Sequence, residues 1–359
     1  MNDVEELARF AVVHARNQGV SDTALERVLS RIGHDREGEA GSWAVEWTAA
    51  GDDAAAAGDD AAAVALYTLA RFPYPDGPAR RSAQRRAVEA FTRWSAPTPI
   101  EPLTFFTAGR TARAWTVGLS AEAERPRPLV LVIGGIVAPK EQYAPVLLQL
   151  DRLGLAGVVA EIPGVGENTA LYGRESWRFI PALIDAVGDR ADVSRTYAVA
   201  MSFSGHLALR AAVHDPRIRG VVTAGAPVRW FFTDREWQRR LPSVTVHTLA
   251  HLLRCSAAEV GEVGDVVARF GLSDEELGAL AVPVRCIVSL RDEIVPARDV
   301  ELLRLRVRDL DTLVHDDVHG SPGHVAESRL WSVLSVVRML GGPDEVLTRL
   351  ESALDATRV

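Results

Sequence analysis

The stretch that most constrains this chain runs from Arg195 to Val213, Arg-Thr-Tyr-Ala-Val-Ala-Met-Ser-Phe-Ser-Gly-His-Leu-Ala-Leu-Arg-Ala-Ala-Val. Its first part, Tyr197 to Ala200, is a short apolar run of the kind that forms a buried strand. Its second part carries Leu207, Leu209, Ala211, Ala212 and Val213 in a helical run that can face a sheet. Between them stands Ser202, with Ala200 before it and Ser204 and Gly205 after it. A strand that turns sharply into a helix brings two backbones nearly into contact, so small residues must flank the turn. The residue at its apex is then exposed and strained, with a helix N-terminus behind it. This is the pattern of a nucleophile elbow, and Ser202 is the candidate nucleophile.

Around this stretch, strand and helix patterns alternate. Leu129 to Ile133, Gly157 to Ile162, Gly220 to Ala224, Val284 to Leu290 and Asp311 to Val314 read as strands. Glu141 to Leu153, Trp177 to Val187 and Ala326 to Leu340 read as helices. An antiparallel hairpin precedes them, Ile100 to Thr107 and Thr111 to Leu119, turning at Ala108-Gly109-Arg110. The expected fold is therefore α/β, a mostly parallel sheet with helices on both faces. Residues 1–95 read as a helical N-terminal domain. Residues 96–359 read as the catalytic domain, beginning at Ala96-Pro-Thr-Pro. Within it, 228–281 lacks a clear strand and is rich in Trp, Phe, Leu and Arg, which predicts a helical cap carrying Trp230 over the site, with two or three ordinary crossover helices as the alternative.

An activated serine needs a base, and the base needs a carboxylate to orient it. In a strand–elbow–helix architecture the chain order is Ser, acid, His. Asp292 follows the strand 284–290 and is the expected acid, with Glu293 beside it as the rival; such a carboxylate is also the pattern of a helix cap. The base is expected from the loop Val314-His-Asp-Asp-Val-His-Gly-Ser-Pro-Gly-His-Val. His319 is favoured because Gly320, Ser321, Pro322 and Gly323 follow it, His324 comes next, and His315 lies closest to the strand end. The oxyanion hole needs backbone amides. Phe203, after the nucleophile, supplies one. The Gly134-Gly135 loop supplies another through Ile136, with the Val137 amide as the alternative donor, and Gly135 and Val137 line the site. His206 is a further candidate on the helix behind Ser202.

Other chemistries find little support. The chain has 359 residues and a formal net charge of −8, so no basic field invites nucleic acid. Its 2 cysteines, Cys255 and Cys286, have no metal spacing, and neither do the histidines of the 314–325 loop. No metal and no cofactor is expected, since the dinucleotide fingerprint is absent and Pro139 interrupts the helix after the Gly-Gly pair. Lys140, the only lysine, is either a solvated first-turn residue or a catalytic amine. The longest apolar stretch, Leu129 to Val137, is far short of the ~20 residues that span a bilayer. The acidic N-terminus does not resemble a signal peptide. The expectation is a cytoplasmic protein without membrane or nucleic-acid partners, acting on a small molecule, with homodimerisation through the helical domain possible in such folds.

Taken together, the motifs from Gly134 to His319 resemble the α/β-hydrolase superfamily. They are most similar to its branch with an N-terminal helical domain, which holds the FrsA-like esterases, the dihydropseudooxynicotine hydrolases and the fungal pigment polyketide-shortening hydrolases. The matching segments are Gly134-Gly135 with Lys140-Glu141, Ile162-Pro-Gly-Val-Gly-Glu167, Ala200-Met-Ser202-Phe-Ser-Gly205, Arg291-Asp292-Glu-Ile-Val-Pro296 and Asp317-Val-His319. Ala200 and Ser204 stand where that branch usually has glycine, and His319 is followed by Gly-Ser-Pro-Gly-His in place of its usual Cys/His/Asn cluster. The resemblance implies cleavage of an acyl group through Ser202, from an ester, a thioester or a β-diketone-like C–C bond. The aromatic, Arg-bearing cap segment suggests a bulky, partly apolar substrate able to carry negative charge, as in specialised metabolism. It also implies an alternative, elimination of acetate, as in similar proteins of tetronate polyketide pathways. A binding protein without activity is the third reading.

Overall fold

The computed structural model describes residues 2–255 and 260–358. Five helices open the chain: α1 (Val4–Asn17), α2 (Asp22–Leu29), α3 (Trp43–Ala56), α4 (Asp60–Arg71) and α5 (Pro78–Ser95). Their starts follow local chemistry. The side chains of Asp3, Ser21 and Asp59 accept hydrogen bonds from first-turn amides of α1, α2 and α4, and Pro78 opens α5, where its missing N–H costs nothing. Leu7, Trp43, Trp47, Leu69 and Phe72 form a core of their own between these helices. The buried Arg80–Asp35 pair, 2.6 Å apart, ties α5 to the loop after α2.

The strands β1 (Glu101–Thr107) and β2 (Arg110–Val117) form the expected hairpin, and Ala108 and Gly109 both turn through positive φ. There follow β3 (Pro128–Ile133), α6 (Lys140–Tyr143), α7 (Leu147–Arg152), β4 (Ala156–Ala160), α8 (Phe179–Asp185), β5 (Asp192–Met201) and α9 (Phe203–His214). The single helix expected over 141–153 is split by a 3₁₀ turn at Ala144–Val146, where Pro145 has no amide to continue the α ladder. Beyond β6 (Ile218–Ala224) lie α10 (Trp230–Thr233), α11 (Arg235–Gln238), α12 (Ser243–Leu253), α13 (Val260–Val267) and α14 (Asp274–Ala279). Part of the expected cap, 256–259, falls outside the described residues. The chain closes with β7 (Val284–Ser289), α15 (Ala297–Arg306), β8 (Leu310–His315), α16 (Val325–Leu340) and α17 (Asp344–Asp355).

All eight strands join one sheet in the order β1-β2-β4-β3-β5-β6-β7-β8. The pairs β1/β2 and β2/β4 are antiparallel and every other pair is parallel. β3 and β5 are neighbours at the centre, with Ile133 opposite Ala200, so the loops after these strands meet at their carboxyl ends. That edge is where open α/β sheets bind ligands. Leu131, Ile133, Ala198, Ala200 and Phe203 belong to a core shared with α8 and α9. Val130, Val132 and Val199, pointing the other way, pack toward α5 and α16. The alternation is the period of two that puts successive strand residues on opposite faces.

The helical N-terminus is docked on the sheet by specific contacts. Arg71 of α4 donates to the Val137 carbonyl at 2.6 Å. Glu6 of α1 accepts from the Ser243 and Val244 amides at the start of α12, at 2.8 and 3.1 Å. The Phe91 ring lies 4.7 Å from that of Trp115. Among the described residues no helix is long and apolar enough to cross a membrane.

Candidate active site

Ser202 is the residue between β5 and α9, and its backbone is at φ 57° and ψ −125°. A non-glycine residue held there costs about 1–3 kcal/mol, which the surroundings must offset. The Ser202 amide donates to the Ala224 carbonyl at 2.7 Å, locking the turn to β6. Behind it Gly205 cannot be anything larger: a Cβ there would lie 2.0 Å from Thr223 Oγ1 and 2.8 Å from Ala226 Cβ. Ser204, where the resembling branch has glycine, fits because its hydroxyl is satisfied. Its Oγ lies 2.8 Å from the carbonyls of both Ile133 and Met201, tying β3 to the elbow.

From this apex a hydrogen-bonded chain runs through the loops after β8 and β7. Ser202 Oγ lies 3.0 Å from His319 Nε2, and His319 Nδ1 lies 2.8 Å from Asp292 Oδ2 and 3.0 Å from Oδ1. Asp292 is itself held by the amides of Ile294 and Val295, at 2.9 and 2.7 Å from Oδ1. Glu293 instead accepts from the His319 backbone amide at 3.0 Å, which fixes the loop and leaves the ring to Asp292. Burial pulls the imidazole's pKa down, but the charge and hydrogen bond of Asp292, with the charge of Glu293, outweigh it and hold the pKa above its ordinary 6.5.

Two glycines shape this chain from either side. A Cβ on Gly135 would sit 3.2 Å from Ser202 Cβ and 3.7 Å from its Oγ, so the β3–α6 loop passes against the serine. The Ile136 amide follows in that loop. The Phe203 amide is the first of α9, and the first amides of a helix have no intrahelical acceptor. Gly225, at φ +60°, is a site residue that the sequence reading passed over: a Cβ there would lie 2.6 Å from His319 Cε1 and 3.3 Å from Asp292 Oδ2. The visible signal was Ala224-Gly225-Ala226 at the end of a strand adjoining the elbow strand.

The loop carrying Ile136 rests on a buried ionic cluster. Lys140 Nζ lies 2.7 Å from Glu167, 2.8 Å from Glu141 and 3.6 Å from Glu161. Burial opposes its charge, but the three carboxylates outweigh burial and hold it above the ordinary lysine value, so Lys140 is a permanent cation and no amine nucleophile. Glu161 is raised to about 7 by burial, with Lys140 opposing and Glu141 adding. Its oxygens accept from the amides of Lys140 and Glu167, at 3.0 and 2.9 Å. A Cβ on Gly166 would lie 1.9 Å from Glu161 Oε1. The Lys-Glu and Gly-Val-Gly-Glu segments are thus one scaffold beneath the β3–α6 loop.

Three expected lining residues lie elsewhere. His206 is buried with Nδ1 3.1 Å from the Pro227 carbonyl and its ring 4.6 Å from that of Phe232. Burial, with the charge of Arg210, lowers its pKa to about 3, so it is a neutral core residue. Trp230 packs under Arg298, whose guanidinium carbon is 3.6 Å from the ring centroid. His324 stacks on His315, centroids 4.2 Å apart at 7°. Nitrogens of these two rings and a Glu327 oxygen come within 4.8 Å of one another. A bound metal lies in the plane of each imidazole that ligates it, and two stacked, nearly parallel planes share no such point. The pair instead flanks Glu327, 3.1 Å from His315 Nε2 and 3.7 Å from His324 Nδ1.

Ser202, Phe203, His319, Gly135, Ile136 and Val137 all line one cavity of about 640 Å³. Its walls differ from the expectation of a cap dominated by 228–281. From that region come Val244 and Thr245, whereas α1, α4, α5 and α16 supply Phe10, Val64, Trp94 and Val333 among others. The walls are mostly apolar. Helical pattern in the N-terminal residues was legible; that they fold back over the carboxyl edge of the sheet was not.

This strand order, with a strained serine between β5 and α9, defines an α/β-hydrolase. The sequence model of the family described as Esterase FrsA-like matches residues 7–309, and the chain belongs to that family. It is therefore a hydrolase of esterase type. Esterase FrsA of Pectobacterium atrosepticum is 24% identical over 321 residues, covering 80% of this chain and 77% of that protein. The solved structure of AbyA5 is 47% identical, with a TM-score of 0.94 and 99% of each chain covered. The 2,6-dihydroxy-pseudo-oxynicotine hydrolase is 20% identical, with a TM-score of 0.67 over 96% of this chain and 95% of that one, a likeness of fold.

Proposed function

We propose that Ser202, His319 and Asp292 form a catalytic triad that cleaves a small acyl group from a bulky, mostly apolar molecule. The observation that carries this reading is the continuous chain from Ser202 Oγ through His319 to Asp292, opening on a cavity of about 640 Å³. Ser202 Oγ attacks the acyl carbonyl carbon while His319 Nε2 takes its proton. The amides of Phe203 and Ile136 donate to the oxyanion as charge moves onto the carbonyl oxygen. Collapse breaks the C–O bond, and His319 returns the proton to the departing alkoxide. Water then attacks acyl-Ser202 by the same route and releases the acid. Asp292 holds the imidazole in the tautomer with Nε2 free to accept and stabilises the imidazolium that forms.

A fluorophosphonate probe is expected to label Ser202. Hydrolysis of a simple acetate ester in H₂¹⁸O is expected to release acetate carrying one solvent oxygen. An intact, folded enzyme whose Ser202 stays unlabelled would sink this reading.

A second reading uses the same groups for elimination of acetate. It is favoured by the apolar wall around a His319 whose proton affinity is raised by Asp292. There His319 takes a proton from a carbon acidified by a neighbouring carbonyl, a C=C bond forms, and the C–O bond to acetate breaks. The acetate leaves with both its original oxygens. With an acetylated β-position substrate, unlabelled acetate together with an alkene product identifies this route.

A further inference from the structure

The cavity has a polar residue that the triad does not use. His14, on the third turn of α1, lines the wall together with Gln142 of α6. Its Nδ1 lies 3.2 Å from Gln142 Oε1 and 3.1 Å from Nε2, so the buried amide fixes the ring whichever way it is turned. The Phe72 ring, 5.4 Å away, backs the imidazole. Among the described residues Nε2 has no hydrogen-bond partner, and the half-buried residue lines the cavity.

The helix that carries His14 is not loosely placed. Glu6 anchors its start on α12, Arg329 of α16 donates to the Asn17 carbonyl at its end, and Gln18 Nε2 donates to the His14 carbonyl at 3.0 Å. Val13 Cγ1 would touch a Cβ on Gly320 at 3.4 Å, so this turn of α1 sits against the loop that carries His319. His14 is thus a rigidly mounted hydrogen-bonding group close to the triad, on an otherwise mostly apolar wall.

We propose that His14, oriented by Gln142, forms a substrate-oxygen subsite whose Nε2 hydrogen-bonds an uncharged hydroxyl or carbonyl oxygen of the molecule held in the cavity. The inference rests on the hydrolase reading of the site and assigns one feature of its substrate. When a ligand displaces water, an imidazole nitrogen facing it must find a partner or lose its hydrogen bond. A ligand without oxygen at this point forfeits about tenfold in affinity. A site built to hydrogen-bond one substrate group discriminates against analogues that lack it. Burial, relieved in part by Gln142 and deepened by the charges of Arg71 and His319, lowers the His14 pKa to about 4. The ring is therefore neutral near pH 7, able to donate or accept as the Gln142 amide dictates, and suited to neutral oxygen.

The test compares phenyl acetate and naphthyl acetate with their ring-hydroxylated isomers. The readout is the ratio of kcat/KM for each hydroxylated ester to its parent within one enzyme, which cancels the active fraction. In the wild type at least one isomer is expected to be preferred by about fivefold or more. His14→Leu is expected to bring that ratio near one, and His14→Gln, which keeps a hydrogen-bonding tip, to retain part of it. A ratio near one for every isomer in the wild type, or one that His14→Leu leaves unchanged, overturns the subsite. Calorimetric binding of naphthol against dihydroxynaphthalene, in wild type and His14→Leu, reads the subsite without turnover. Failure of fluorophosphonate labelling counts against the hydrolase reading alone.

Discussion

Replacing Asp292 by asparagine is expected to lower kcat/KM by about 10⁴-fold in a protein that remains folded. The asparagine oxygen can still accept from the Ile294 and Val295 amides, so the turn after β7 keeps its hydrogen bonds. The other end of the side chain then offers NH₂ to His319 Nδ1 where the carboxylate offered an acceptor. The imidazole must turn its lone pair to Nδ1, leaving the proton on Nε2, which can no longer take the proton of Ser202. The pH profile carries a second signature. As the proposed base, His319 can act only when neutral, so activity is expected to rise with pH through its pKa, which in the native enzyme lies above the ordinary 6.5. Without the Asp292 charge, burial dominates and the acid limb of the residual activity moves to lower pH. The measurement is kcat/KM for phenyl acetate against pH, with circular dichroism of the variant. A loss under tenfold, with the acid limb unmoved, would remove Asp292 from the assigned role.

Lys140→Met is expected to cost about 3–5 kcal/mol of folding stability, the usual loss when one partner of a buried ionic cluster is deleted. Lys140 is 1% exposed and is the cation shared by Glu141, Glu161 and Glu167. Its removal leaves Glu141 and Glu161, both shut off from water, without their cation, while Glu167 keeps partial access to solvent. The loss has a calculable pH dependence. Glu161 already binds its proton more tightly when folded, at about 7 against an ordinary 4.5, so its ionisation erodes stability as pH rises through that interval. Without Lys140 that proton is held more tightly still, and the erosion continues to higher pH. The difference between variant and wild type, read from urea unfolding, is therefore expected to be larger near pH 8 than near pH 5. A variant as stable as the wild type at both pH values would show that the cluster is structurally idle. Because this cluster underlies the loop bearing Ile136, activity is expected to fall with stability in the same variant.

The legible parts of this molecule were those written in local period and local bulk. The alternation from Leu129 onward gave the parallel strands, but the apolar pattern ran 141–153 together as one helix where the structure breaks at Pro145. The small residues around Ser202 gave the elbow, since a Cβ at Gly205 would collide with Thr223 whatever else the chain did. The candidates that did not reach the cavity shared one trait, in that their polarity was visible and their direction was not. His206 is one turn from the elbow yet faces Pro227, and Trp230 turns to Arg298. His14 was passed over for the converse reason: an amphipathic helix far upstream gives no local sign that one of its residues faces a serine beyond position 200.

Local pattern carries the order of the candidate groups, serine, then carboxylate, then histidine, and the turns able to present each. That follows because strand period, turn residues and steric limits act over a few neighbouring residues. The packing of distant elements is what brings Asp292 and not Glu293 to the imidazole, His319 and not His324 to the serine, and α1, α4 and α5 around the cavity. Those choices depend on distances of about 3 Å between groups far apart in the chain, set by how the sheet twists and which faces pack, and no local pattern encodes them.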